Sequence, residues 1–209
     1  MPAKIISPSM ALTLAALLIL CGLAILVLEL LPVTLFLGLF NIFWYNIFYT
    51  RLKRVTPFAV VPGALTGAIP ILMGWTAAGG YIFSPEALLL AGFLFLWQVP
   101  HFWLLMLQYG DEYKIAGLPV VSDVFTPGQI RSVTFAWLVA SSIASLMLLH
   151  FRVFHSLYAA IAVIILSVIL ILLAVHQFFI TRSKSYRFLF LAVNSYLLLV
   201  MVLLVAERL

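Results

Sequence analysis

Residues 85–108 read PEALLLAGFLFLWQVPHFWLLMLQ, and Glu86 is the only residue of this stretch with a formal charge. Because roughly 20 apolar residues in a helix cross the hydrocarbon core of a bilayer, the stretch is long enough to span a membrane. Further apolar stretches of similar length predict an all-α polytopic membrane protein with about seven transmembrane helices, formed by residues 1–209 as a single domain. The predicted spans are approximately residues 9–31, 33–50, 57–78, 85–108, 130–150, 154–180 and 187–206.

The composition of the whole chain agrees with a lipid bilayer as its surroundings. Hydrophobic residues make up 66% of the 209 residues, charged residues make up 8%, and the mean hydropathy is +1.26. The formal charge of +5 comes from basic residues dispersed over the predicted loops, which argues against nucleic acid as a partner. Cys21 is the only cysteine, so disulfides and thiolate metal sites are excluded.

The basic residues predict the orientation of the chain in the membrane. The first apolar stretch continues beyond the h-region of a signal peptide, so we predict a retained helix with a cytoplasmic N-terminus. All basic residues except Arg152 and Arg208 then fall on the cytoplasmic side, as the positive-inside rule expects. The residues placed on that side are Lys4, Arg51, Lys53, Arg54, Lys114, Arg131, Arg182, Lys184 and Arg187.

A polar stripe interrupts the apolar stretch that opened this section and continues beyond it. Its members follow at spacings of 3, 4, 3 and 4 residues, which places them on one face of a continuous helix: Gln98, His101, Leu105, Gln108 and Glu112. Polar side chains inside a membrane are costly and commonly functional. The stripe therefore predicts a polar-lined cavity that opens toward the cytoplasm. The side chains could instead hydrogen-bond neighbouring helices, and for His101 alone the sequence does not decide between the two roles.

A second group of polar residues lies on the predicted cytoplasmic side. Tyr49 precedes Lys53 and Arg54 at the end of the second apolar stretch, where cations are also a common topology signal. Asp111 and Glu112 face the same compartment. Since Mg²⁺ binds through one or two carboxylates plus substrate phosphates, and Lys and Arg bind phosphate oxygens, the combination predicts a site for a phosphorylated substrate with an apolar tail.

Three segments resemble a known family. They are YTRLKRVTP at 49–57, GALTGAIPILMGW at 63–75 and PHFWLLMLQYGDEYKIAGLP at 100–119. These segments are similar to the protoheme IX farnesyltransferases (haem O synthases) of the UbiA prenyltransferase superfamily, and the resemblance covers essentially the whole chain. The family commonly has two adjacent aspartates before the tyrosine of the third segment, where this chain has Asp111 and Glu112.

The resemblance implies a helical bundle around a central cavity in a bacterial inner membrane, with the site loop in the cytoplasm. It implies Mg²⁺ as cofactor and the transfer of a farnesyl group from farnesyl diphosphate to a vinyl group of protoheme IX. By position, Asp111 and Glu112 match the family's second acidic motif and are implied metal ligands and catalytic residues. His101 and Tyr113 match further catalytic positions. The implied substrate-binding residues are Tyr49, Lys53, Arg54, Gln108 and Lys114.

The chain departs from the family pattern before its third segment. Family members have a further pair of N-terminal helices and an additional Asn/Asp-rich motif, whereas no aspartate precedes Asp111 here. We therefore expect an N-terminally short chain, which is a fragment, a divergent paralogue or a half whose partner chain supplies the missing acidic motif. A terminal-oxidase assembly factor is a further candidate partner.

Other functions remain open at this point. A UbiA-type prenyltransferase that acts on a quinone precursor would share most of these residues. A non-catalytic membrane protein could keep the cavity to bind haem or to assist oxidase assembly. A transporter could use a polar membrane helix as its substrate pathway, although the sequence has no paired broken helices to support that function.

Overall fold

The computed structural model describes residues 6–28, 32–151, 153–181 and 185–207. Within these ranges the helices are α1 (Pro8–Leu28), α2 (Pro32–Phe43), α3 (Thr50–Leu52), α4 (Val60–Ala77), α5 (Pro85–Gln108), α6 (Gly110–Ile115), α7 (Pro127–His150), α8 (Leu157–Val175) and α9 (Arg187–Ala206). Basic residues that contribute to the predicted orientation lie outside the described residues, namely Lys4, Arg152, Arg182, Lys184 and Arg208.

Short turns of other helical types extend these helices. A π-helical turn at Trp44–Tyr49 joins α2 to α3, and a second at His176–Thr181 continues α8. The turn Pro57–Ala59 precedes α4, and the turn Val121–Asp123 lies in the loop before α7; both are 3₁₀ turns. The segment between α5 and α7 is therefore partly helical.

Seven of the described helical segments are long and apolar enough to cross a membrane. They are Pro8–Leu28, Pro32–Leu52, Pro57–Ala77, Pro85–Gln108, Pro127–His150, Leu157–Thr181 and Arg187–Ala206. The prediction of an all-α polytopic membrane protein with about seven spans is confirmed.

The longest membrane helices begin at residues with strong capping chemistry. Thr126 accepts a hydrogen bond from the Gln129 backbone N–H, and the Gln129 side chain accepts one from the Thr126 backbone N–H in return. Pro127 then occupies the first helical position, where the missing N–H costs nothing. Ser84 and Pro85 start α5 in a similar way.

Helix α5 lies at the centre of the bundle and packs against α4, α7 and α9. Its buried residue Phe93 belongs to an apolar core shared with α7, α8 and α9, whereas Val99 and Trp103 belong to a second core with α4 and the 118–126 loop. Ser145, Ser167 and Tyr196 join α7, α8 and α9 through hydrogen bonds, a common way to hold membrane helices together.

Helix α1 stands at the edge of this arrangement. It contains no buried residue, and α2 is its main neighbour. The compact part of the described structure is therefore built from α2, α4, α5, α7, α8 and α9.

The helix that carries the polar stripe ends at Gln108, so the prediction of a continuous helix through Glu112 is wrong. Tyr109 leaves helical geometry, with φ −118° and ψ 25°, and the chain restarts as α6 at Gly110. A glycine inside a helix costs about 1 kcal/mol relative to alanine, which favours a break at this position. Glu112 thus lies on a different helix from Gln98 and His101.

Candidate active site

A cavity of about 180 Å³ opens where the ends of α2–α3, α5 and α6 meet. We name it the mouth cavity. It brings together three of the predicted site residues, Tyr49, Lys53 and Tyr113. The remaining lining residues are largely apolar: Thr56, Pro57, Ala59, Val60, Phe102, Met106, Leu118 and Pro119. The Lys53 ammonium lies 5.6 Å from the centre of the Tyr49 ring, within the range of a cation–π contact.

The position of Tyr49 depends on the π-helical turn and on a close approach to α4. Trp44 starts the turn and donates its indole N–H to the Pro62 carbonyl at 2.8 Å, which fastens the turn to α4. A Cβ atom at Gly63 would stand 2.5 Å from ring atom Cε2 of Tyr49. Gly63 therefore lets the Tyr49 ring lie directly against the α4 backbone.

A second space, the deep chamber, lies beside the mouth cavity, farther from the loop end of α4 and α5. Its volume is about 180 Å³, and the two spaces share Tyr49, Val60 and Phe102. Its other lining residues are Tyr45, Gly63, Thr66 and Gln98. The shared side chains form the wall between the two spaces, and most of the surface on both sides of that wall is apolar.

An open groove between α1, α2 and α4 lies beside the deep chamber. This side groove has a volume of about 420 Å³ and shares Tyr45 and Thr66 with the deep chamber. Asn41 and Asn46 also line it. The three spaces thus follow one another from the loop end of the bundle to its α1 edge.

The polar stripe does not line one cavity in the structure. Gln98 reaches α4, donating from Nε2 to the Ala64 carbonyl at 3.1 Å, and faces the deep chamber. His101 points toward α9, where its ring packs against Phe190, and it also packs against Trp97 of its own helix. Gln98 and His101 are only three residues apart, yet they contact different helices. Their side chains lie on either side of the line along which α5 packs against α4.

Gln108 likewise takes part in helix contacts. Its side-chain oxygen accepts a hydrogen bond from the Tyr186 backbone N–H at 3.1 Å, immediately before α9. The alternative that these polar side chains hydrogen-bond neighbouring helices thus describes Gln98 and Gln108. Among the residues that the structure describes, the buried His101 Nδ1 atom has no hydrogen-bond partner.

The two predicted metal ligands lie on α6, outside the mouth cavity. Asp111 lines a separate polar cleft of about 190 Å³ together with Gln108, Lys114 and Ser122, whereas Glu112 is exposed and is not part of its lining. Met106 lines both the cleft and the mouth cavity, so the two spaces are neighbours. The structure therefore separates the carboxylates from the cation–aromatic group of Tyr49, Lys53 and Tyr113.

The donor set on α6 fits Mg²⁺ in one specific mode. Within the described part of the chain, no cluster of three or more His, Cys, Asp or Glu residues could enclose a metal ion. The Asp111 and Glu112 carboxylates have no hydrogen bond or ion pair there, and both are exposed. Two free carboxylates suit a Mg²⁺ ion that takes its remaining ligands from water and substrate phosphates.

Lys114 and Arg54 occupy positions that the sequence did not predict. Lys114 forms an ion pair with Asp123, with 2.9 Å between Nζ and Oδ1. Hydrogen bonding to Lys114 lowers the pKa of the Asp123 carboxyl below its ordinary value, so Asp123 is ionised at neutral pH. Arg54 is exposed and does not line the mouth cavity, unlike its neighbour Lys53.

Sequence reasoning missed several residues that shape the site. Phe102 divides the mouth cavity from the deep chamber, Thr66 divides the deep chamber from the side groove, and Asp123 holds Lys114. Phe102 lies in the family-like segment 100–119, but the resemblance implies no role for it. Gly63 and Thr66 are small and lie three residues apart, so they share one side of α4. Small residues in this arrangement indicate that another element can pack closely against the helix, and the sequence contains this signal.

The comparisons with known proteins agree with this architecture. The profile described as the UbiA prenyltransferase family matches residues 1–205. The chain belongs to the UbiA prenyltransferase family. No solved structure gives a significant match.

Curated relatives narrow the likeness within the UbiA family. The chain is 48% identical over 100 residues to a protoheme IX farnesyltransferase of Geobacter sulfurreducens, covering 48% of this chain and 36% of the relative. It is 38% identical over 165 residues to that of Oleidesulfovibrio alaskensis, covering 79% of this chain and 56% of the relative. It is 42% identical over 140 residues to the human mitochondrial protoheme IX farnesyltransferase, covering 67% of this chain and 31% of the relative. The matches thus span about a third to somewhat over a half of the length of these relatives.

Proposed function

We propose that this UbiA family chain binds farnesyl diphosphate and takes part in its transfer to a vinyl group of protoheme IX. The observation that carries the proposal is the mouth cavity. One cation, Lys53, and the aromatic residues Tyr49, Phe102 and Tyr113 line a space that neighbours a second, largely apolar space. The names of the curated relatives, all protoheme IX farnesyltransferases, support haem as the acceptor.

The diphosphate group is proposed to lie at the loop end of the mouth cavity. Lys53 lines that space and would bind the diphosphate oxygens as a point charge. Asp111, in the neighbouring cleft, and the exposed Glu112 beside it would hold Mg²⁺, and the ion would neutralise charge on the leaving diphosphate when bound. Tyr113 follows Glu112 on α6 and lines the mouth cavity, so it marks the boundary between the α6 carboxylates and that cavity.

The isoprenoid tail is proposed to follow the apolar spaces toward the membrane. Ligand sites for molecules of this size commonly enclose about 300–1,000 Å³, which exceeds the mouth cavity alone. The deep chamber and the side groove supply the additional volume. A tail that passes Phe102 and then Thr66 would emerge beside α1, at the edge of the described bundle.

The reaction produces an allylic cation and a diphosphate anion, and the protein must stabilise both. The carbon–oxygen bond of the allylic diphosphate breaks and releases diphosphate, and a carbon–carbon bond forms to the outer carbon of the haem vinyl group. The positive charge left on the inner vinyl carbon is then removed by addition of water and loss of a proton, which gives the hydroxyethylfarnesyl product. Tyr49 and Phe102 line the space, so their aromatic rings would stabilise the allylic cation, and the apolar walls would keep water from it before the carbon–carbon bond forms. His101 is proposed as a catalytic residue by motif position only, because its ring faces α9.

The orientation of the chain is part of the proposal. We infer that α6 and the loop end of the mouth cavity face the cytoplasm of a bacterial inner membrane, as the described basic residues Arg51, Lys53 and Arg54 favour. The whole of residues 1–209 as a single domain stays a prediction.

The direct test of the function is incubation with haem, farnesyl diphosphate and Mg²⁺, followed by separation of haem products by mass. The family pattern has two acidic motifs, whereas Asp111 and Glu112 form the one acidic pair in this chain. We therefore expect low turnover by the chain alone and use binding as the primary measurement. Binding of labelled farnesyl diphosphate that is unaffected by chelation of Mg²⁺ would contradict the proposed metal dependence.

The Lys53→Ala variant tests the diphosphate position. We expect farnesyl diphosphate affinity to fall about tenfold or more, since a charge-assisted contact contributes about 1.5–3 kcal/mol. Arg51→Ala is the matched control, because Arg51 is an exposed cation of the same segment that does not line the cavity. Equal affinities of the two variants would reduce Lys53 to a topology signal.

A further inference from the structure

Asp123 belongs to none of the motifs identified in the sequence, yet its carboxylate pairs with Lys114, a cation on the same helix as Asp111 and Glu112. Its Oδ1 atom lies 2.9 Å from Lys114 Nζ, and its Oδ2 atom accepts a hydrogen bond from the Val120 backbone N–H at 3.4 Å. Val120 is buried, because the loop folds back onto the end of α5. The loop thus carries Asp123 to a defined place beside α6.

Lys114 also has a second carboxylate within reach. Asp111 precedes it by three residues on α6, a spacing at which oppositely charged side chains commonly pair on a helix surface. Both residues line the same polar cleft. Nevertheless the ammonium pairs with Asp123, and the Asp111 carboxylate has no partner within the described residues.

We propose that Asp123 is a positioning residue, which holds the Lys114 ammonium away from Asp111 and so leaves the Asp111 carboxylate free to bind a divalent cation. The inference rests on the proposed function, in which Asp111 is a metal ligand. An ammonium paired with Asp111 would compete for the same oxygen atoms and would place a positive charge close to the incoming cation. Asp123 acts only through Lys114 and touches neither metal nor substrate.

The charge-removing variant Asp123→Asn provides the first test. It keeps the size of the side chain, releases Lys114 and lets it pair with Asp111. We expect the affinity for Mn²⁺, used alone as a probe for Mg²⁺ sites, to fall about two- to fivefold at low ionic strength, the range of exposed ion pairs. The effect should shrink in high salt because the charges are exposed. Bound Mn²⁺ is measured on the full chain in detergent micelles from the loss of the free-ion paramagnetic resonance signal.

A double variant separates positioning from a purely structural role. Lys114→Met removes the competing charge at similar length, so Asp123→Asn combined with Lys114→Met should recover wild-type Mn²⁺ affinity. If Asp123 only stabilised the loop, the double variant would bind as weakly as Asp123→Asn or more weakly. Unchanged affinity in Asp123→Asn, or no recovery in the double variant, would overturn the inference.

Asp111→Asn distinguishes failure of this inference from failure of the proposed metal site. It should weaken Mn²⁺ binding more than Asp123→Asn, because it removes a ligand. Loss of binding in Asp111→Asn with none in Asp123→Asn overturns the role of Asp123 alone. Wild-type binding by Asp111→Asn overturns the proposed metal site itself.

Discussion

Tyr49 and Gly63 illustrate how the site depends on single residues that make no polar contact with one another. The Tyr49 ring occupies the space where a side chain at position 63 would begin, and it borders both the mouth cavity and the deep chamber. A methyl group at position 63 must therefore displace the ring. Displacement of the Tyr49 ring would alter the walls of both spaces, although Gly63 itself lines only the deep chamber.

The Gly63→Ala variant should weaken farnesyl diphosphate binding and lower stability by about 1 kcal/mol, the lower end of the cost of overpacking. Gly92→Ala is the control, because Gly92 also lies within a membrane helix but has open space where a Cβ would stand. The control should be neutral or stabilising, since alanine is the better helix former. Ligand binding and thermal unfolding in the same detergent compare the two, and indistinguishable profiles would contradict the packing argument.

At the residue level, the sequence pointed to side chains that the structure places together, but it did not give their partners. Tyr49, Lys53 and Tyr113 were selected as site residues, and the structure brings them into one cavity. The separation of Asp111 from this group was not foreseen, because it depends on where α5 ends. The Lys114–Asp123 pair joins residues nine positions apart through a loop fold that no periodic pattern encodes.

At the scale of elements, the end of α9 is fastened to the beginning of α8. The Glu207 carboxylate accepts hydrogen bonds from the backbone N–H groups of His155 at 2.8 Å and Ser156 at 2.7 Å. Helix N-termini present unpaired N–H groups and a partial positive charge, so a carboxylate is a favourable partner there. One side chain thus connects two membrane helices at their ends.

The Glu207→Ala variant should lower the stability by about 1 kcal/mol, below the usual range for buried charged hydrogen bonds because the contact is partly exposed. That loss corresponds to a thermal midpoint lower by about 2–4 °C in a chain of this size. Glu86→Ala serves as the control, since Glu86 lies in the first turn of α5 and accepts no hydrogen bond through its side chain from the described residues. Amide exchange at residues 155 and 156 should also accelerate in the Glu207 variant; unchanged exchange would contradict the contact.

At the scale of the whole molecule, the sequence was sufficient for the number of spans and insufficient for the arrangement of the cavities. Span prediction depends on local composition and on the thickness of the bilayer, both of which are readable without tertiary contacts. The three neighbouring spaces depend on how α2, α4 and α5 diverge, and on the π-helical turn at Trp44–Tyr49. The polar stripe predicted one cavity because it assumed one continuous helix from Gln98 to Glu112.

The orientation in the membrane can be tested with single cysteines in a Cys21→Ala background. Val55→Cys and Ile115→Cys should react with an impermeant reagent only from the cytoplasmic side, and Tyr81→Cys and Tyr158→Cys only from the opposite side. All of these side chains are well exposed, so their reactivity reports sidedness rather than burial. The neighbouring Gly80 is unsuitable for cysteine labelling, because a side chain at that position would collide with Trp75. Labelling of Val55→Cys and Tyr81→Cys from the same side would contradict the proposed orientation.

The π-helical turn gives the chain a tolerance to a kind of change that substitutions do not probe. A π turn contains one more residue than the α-helical turn it replaces. Because the extra residue is accommodated within one widened turn, deleting one residue between Trp44 and Tyr49 would restore a regular helix and leave the residues on either side in nearly the same rotational phase. The same deletion in a regular part of α5 would rotate everything beyond it by about 100°. In-frame loss of a single codon should therefore be better tolerated between Trp44 and Tyr49 than in the middle of α5.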